Sequence, residues 1–201
     1  MKPLIISFLL VLSGYSFSQT GYYIANPQKL TWKNYEGKPN PDSIKIGQQA
    51  NTSTEMYVAY DPYKDLPYVM VFFQPKSWVN SKIVNQWPKW KKDSLLHHER
   101  LHLYISLIWG KACKNKLQGL TGLTLKKAHD SSVYFVRKMK DINDKYDQET
   151  AHGKNLEKQR EWLVNTMITF NSPAYQEIKL DTFEKQKMIG SKTLSKNGNK
   201  K

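Results

Sequence analysis

Cysteine is almost absent from this 201-residue chain, with Cys113 the only one. An internal disulfide is therefore excluded, and the fold must rest on its core and on any bound metal. A lone thiol at the end of an apolar helix, with no partnering motif around it, reads as structural and not as a nucleophile. Acidic residues are also scarce, 17 against 31 basic, for a net charge of +14. Such an excess invites a nucleic-acid partner, but the lysines are dispersed and no recognition motif or stacking platform accompanies them, so none is expected. Trp87, Lys89, Trp90, Lys91 and Lys92 form a basic aromatic cluster. We read it as the solvated approach to the helix that follows.

Long apolar runs are missing beyond the first dozen residues. Lys2, the apolar stretch from Pro3 to Leu12 and the small-x-small pattern Ser16-Phe17-Ser18 read as a signal peptide over residues 1–18. The run is too short to favour a membrane span, so no stable membrane anchor is expected and the mature chain is placed outside the cytoplasm, secreted or periplasmic. Residues 19–190 show no repeat or long linker and read as one domain. Residues 191–201 are polar and lysine-rich and read as a disordered tail.

Histidine is rare too, five in all, and two of them stand in His98-Glu99-Arg100-Leu101-His102. On a helix, positions i and i+4 share a face, so both imidazoles can reach one metal ion while Glu99 reaches a water beside it. Pro88 stops what precedes, Asp93 or Ser94 can cap, apolar residues recur from Leu95 to Trp109, and Gly110 marks a possible end. Apolar residues lie nearly all round, which predicts a buried helix of four to five turns. Buried imidazoles and a buried carboxylate are costly unless paired or bound to something.

Before this helix the sequence is strand-like at 22–24, 56–60 and 68–73, with a further strand suggested within 43–51 and a turn over 37–42. After it, helices are expected from Leu123 to about Tyr146 and from a cap at Asn155 to Phe170. Strands followed by helices give an α+β fold with a small antiparallel sheet beside the metal helix. An edge strand of that sheet could hold an extended peptide.

A hydrolytic zinc ion takes three protein ligands, so one is still needed. His97 points about 100 degrees away from His98, and His129 lies in a polar stretch. His152 is the first choice, aimed from a helix junction with Gly153 beside it. Asp147 and Glu149 are the alternatives, as ligands or as partners that orient a ligand. Tyr146 carries a phenol able to donate to a developing oxyanion.

Several separated segments together resemble a bacterial family of secreted proteins classed by inference as zinc-dependent proteases, catalogued as domain of unknown function 922. They are Leu30-Thr31-Trp32-Lys33-Asn34-Tyr35-Glu36-Gly37, Phe72 to Trp78, the His98–His102 motif, and Tyr146-Asp147-Gln148-Glu149-Thr150-Ala151-His152-Gly153-Lys154-Asn155 with Gln159 and Trp162. The resemblance spans roughly residues 28–170, and Asn34 stands where the family pattern has an aspartate. It implies a zincin-like metallopeptidase domain holding one zinc ion on His98, His102 and His152, with Glu99 as base and a peptide or protein as substrate. The rival expectation is an exported, metal-containing binding protein without catalysis.

Overall fold

Residues 26–61, 66–120 and 122–172 are described by the structure, a computed structural model. The signal-peptide, first-strand and tail expectations lie outside them.

A hairpin opens the core, burying Met56 and Val58 from its first strand and Val71, Phe72 and Phe73 from its second. β1 (Ala50–Asn51) is short, whereas β2 (Thr54–Asp61) and β3 (Leu66–Phe73) form an antiparallel hairpin, with Met56 opposite Val71 and Val58 opposite Val69. β4 (Trp78–Val79) pairs antiparallel with β1 to make a second two-stranded sheet. Within 43–51 the expected strand shrinks to those two residues. Asn40 caps a short helix, α1 (Pro41–Lys45), by accepting from the Asp42 amide, and Pro41 is preorganised for its first turn. A second short helix, α2 (Ser81–Val84), leads to Pro88.

Three long helices complete the α+β architecture: α3 (Lys89–Gln118), α4 (Leu125–Thr150) and α5 (Leu156–Asn171). Thr124 and Asn155 cap the last two by accepting from the amides of Lys127 and Lys158. α3 touches β2, β3, α4 and α5, which explains its apolar residues on nearly every face. Its 30 residues make it about 45 Å long, nearly twice the expected length. Gly110 does not end it. A Cβ there would lie 2.5 Å from Val71 Cγ2, so the glycine serves close approach of helix and hairpin.

The core divides along α3. Leu103, Leu107, Cys113 and Leu117 pack with Met56, Val58 and Val71 of the hairpin and Ala128 and Met139 of α4. Toward the other end, Leu101, Tyr104, Ile105 and Tyr146 form a second cluster, edged by Trp162 and Phe170. Among the described residues no helix is long and apolar enough to cross a membrane.

Candidate metal centre

The middle of α3 presents His98, Glu99 and His102, only 2%, 2% and 6% exposed. The last turn of α4 brings Asp147 against them. His98 Nε2 lies 3.0 Å from Asp147 Oδ1, His102 Nε2 lies 3.1 Å from the same oxygen, and the two nitrogens are 3.3 Å apart. Three electron-rich atoms thus converge on one point, and a cation, proton or metal, must sit among them to offset their repulsion. An ion bonded at about 2.0–2.1 Å in a tetrahedral array holds its donors roughly 3.3 Å apart, so the spacing fits a metal of that size. The donor set of two imidazoles and a carboxylate also suits zinc. His98, His102 and Asp147 are accordingly a possible metal-binding group.

Both histidines are held from behind. Tyr146, fully buried, stacks on the His98 ring at 4.6 Å and meets the His102 ring edge-on at 4.9 Å. His102 Nδ1 is 2.8 Å from Asn143 Oδ1, one turn before Asp147 on the same face of α4. Glu99 is bound by the side chain and backbone of Thr52, whose hydroxyl also meets the Tyr35 hydroxyl at 2.8 Å. Glu99 Oε2 and His98 Nδ1 are buried with no hydrogen-bond partner. An unpartnered carboxylate oxygen beside the metal-type donors is where a reacting water would be received.

The charges respond to this crowding. Burial pushes Glu99 up to about 7, against attraction from His102. Burial also drives His98 down to about 4, only partly offset by the hydrogen bond to Asp147. Burial lowers His102 as well, but the Asp147 carboxylate outweighs it and lifts the ring to about 9. For Asp147, burial is overcome by the two histidines, which hold it well below the usual carboxylate range.

The corner that follows α4 is strained. Ala151, His152 and Gly153 have φ of 49°, 52° and 78°, three successive left-handed residues. For the first two that conformation costs about 1–2 kcal/mol each. The His152 amide donates to the Asp147 carbonyl at 2.9 Å and the Asn155 amide to Thr150 at 2.8 Å, which lock the reversal. A side chain at Gly153 would be strained, because φ there is 78° and a Cβ would come 3.0 Å from His98 Cγ.

Sequence reasoning thus located His98, Glu99 and His102 together. His152, the first choice for the third ligand, reaches the same corner, with Nδ1 3.4 Å from Asp147 Oδ1 and its side chain 30% exposed. Asp147, the alternative, makes the tight triad with the two α3 histidines. Glu149 turns away, accepting from Trp162 Nε1 at 2.8 Å, so it does not serve as the alternative ligand. The oxyanion role expected of Tyr146 does not match its position, because its hydroxyl donates to the His98 carbonyl at 3.4 Å beneath the rings. Asn143 went unnoticed. Its signal was the i, i+4 spacing to Asp147 on a helix that had to face the motif.

Comparisons with protein-family models, with curated proteins and with solved structures give no match.

The surrounding segments pack around α3. Arg100, inside the motif, forks onto the Leu30 carbonyl through Nε at 3.0 Å and Nη2 at 2.7 Å. Tyr35 packs edge-on against Phe73 at 5.2 Å, and the Gly37 amide donates to the Ser77 carbonyl at 2.8 Å. Gln159 Nε2 donates to the Ser94 carbonyl of α3 at 3.1 Å. In the basic aromatic cluster Lys91 lies over Trp87 at 3.9 Å, and Trp90 is exposed.

Proposed function

We propose that the chain is a zinc-dependent, zincin-like peptidase acting outside the cytoplasm, with His98, His102 and Asp147 as zinc ligands and Glu99 as general base. The observation that carries this reading is the convergence of His98 Nε2, His102 Nε2 and Asp147 Oδ1 within 3.0–3.3 Å beside a buried carboxylate with a free oxygen. Supporting it, the separated segments that resemble the protease family meet around α3. Arg100 ties down the first, Tyr35 and Gly37 join the first to the second, and Gln159 docks the last.

A zinc ion at this corner supplies a Lewis acid that polarises a peptide carbonyl and acidifies a water. The chain's residues do the rest. Glu99 Oε2 receives the water proton and delivers it to the departing amine. Thr52 keeps the carboxylate turned toward the corner, and Tyr146 fixes the plane of His98 by stacking. His152, partly exposed at the rim and close to Asp147, is positioned to meet a bound substrate or to join the coordination as a fourth donor.

The test is Glu99→Gln in the full chain loaded with zinc. We expect zinc content unchanged and hydrolysis of a peptide library reduced at least about a hundredfold, in keeping with loss of general-base help. Zinc bound by wild type with no cleavage of any peptide would instead favour a non-catalytic, metal-containing binding protein.

A further inference from the structure

We propose that Asn143 is a positioning residue that holds His102 as an Nε2 metal ligand, and that Ser106 and Thr54 fix Asn143 in the required orientation. The inference rests on the zinc reading above and assigns a residue to it on separate grounds.

Proton directions can be derived from one acceptor-only group. Asn143 Nδ2 lies 2.8 Å from the Met139 carbonyl, which can only accept, so the amide nitrogen faces that way. Its Oδ1 must then face His102 Nδ1 at 2.8 Å, and an amide oxygen can only accept. Nδ1 therefore carries the proton. A metal-ligating imidazole is neutral and keeps one proton, so with that proton on Nδ1 it is Nε2 that offers its lone pair, toward the corner shared with His98 Nε2 and Asp147 Oδ1.

Asn143 is itself constrained. Ser106 Oγ donates its only proton to the His102 carbonyl at 2.8 Å. It can then only accept from Asn143 Nδ2 at 3.3 Å and from Thr54 Oγ1 at 2.7 Å. The result is a directed chain from the first residue of β2, through α3, to the amide on α4 that faces the ligand. Both partners of the amide nitrogen are acceptors, so flipping the amide would place an oxygen against a carbonyl. His98 has no such device, since its Nδ1 is buried without a partner. Its ring is placed by Tyr146 and Gly153 instead.

The experiment compares zinc affinity, by competition with a chelator, in full-length wild type, Asn143→Leu and Asn143→Asp. Asn143→Leu removes the acceptor and should weaken zinc about 10–100-fold, the usual cost of losing a partner behind a ligand histidine. Asn143→Asp keeps an oxygen for Nδ1–H and should recover most of that loss. Asn143→Leu leaves the Met139 carbonyl unserved and Asn143→Asp sets an oxygen against it, so a merely structural role would lower metal-free melting at least as much in Asn143→Asp and would not give that variant the tighter zinc binding. Equal zinc affinity in Asn143→Leu and wild type overturns the proposal and spares the zinc reading. Failure of wild type to bind zinc overturns both. If neither variant folds, nitrogen-15 NMR of zinc-loaded wild type decides: Nδ1–H with Nε2 on the metal supports the assignment, and the reverse overturns it.

Discussion

His98, Glu99 and His102 stand in the middle of a 30-residue helix packed against the hairpin, α4 and α5, whereas Asp147 stands in the last turn of α4 and His152 in the left-handed corner after it. The first half of the site is held by helix geometry, which needs no strain to put residues i and i+4 on one face. The second half is held by a strained reversal stabilised through backbone hydrogen bonds, by a glycine seated on His98 and by Tyr146. The difference suggests how the site is assembled: the helix supplies donors in fixed relation, and the turn closes around them. Strain concentrated where the closure occurs is a common mark of a functional site.

Breaking the helix-borne half should have the largest effect. His98→Ala or His102→Ala should lower zinc affinity about a hundred- to a thousandfold, each ligand supplying around a quarter of roughly 10–16 kcal/mol. Chelator competition measures it. In the turn-borne half the account separates two neighbours. Asp147→Ala should approach that loss, while His152→Ala should change affinity less than about tenfold. The reverse order would return His152 to the third ligand position.

Gly153→Ala attacks the closure itself. It forces a Cβ into φ of 78° and against His98, so it should destabilise the fold by about 1–2 kcal/mol and weaken zinc as well. Thermal melting with and without zinc reads both. Gly110→Ala is the contrast, because its Cβ meets Val71 and not the site. Overpacking of about 1–3 kcal/mol, offset by about 1 kcal/mol of helix propensity, should lower stability slightly and leave zinc affinity unchanged. The smallest effect concerns Cys113. Burial pushes its thiol up to about 12, so a thiol reagent at neutral pH should label it only after unfolding.

The helix-borne half was legible in the sequence because its information is local: spacing, a flanking proline and an apolar run. The hairpin strands and the two later helices were legible for the same reason, through period and caps. The length of α3 was not, since Gly110 reads as a stop until Val71 is seen against it. The short α1 was hidden because Asn40 and Pro41 suit a turn as well as a helix start. The turn-borne half resisted for a deeper reason. Asp147, Glu149 and His152 lie within six residues, and only the exit angle of α4 decides which faces α3. Residue type favoured histidine for zinc. Register on α4, set by Tyr146 packing beneath the rings, favours Asp147.

On the proposed reading the two halves of the site meet on one metal ion. Zinc content of the full wild-type chain, measured after equilibration with zinc and removal of the excess, tests it most directly. One zinc per chain is expected, lost in Asp147→Ala. A wild-type chain that retains no zinc would show that the cluster closes around a proton alone and would contradict it.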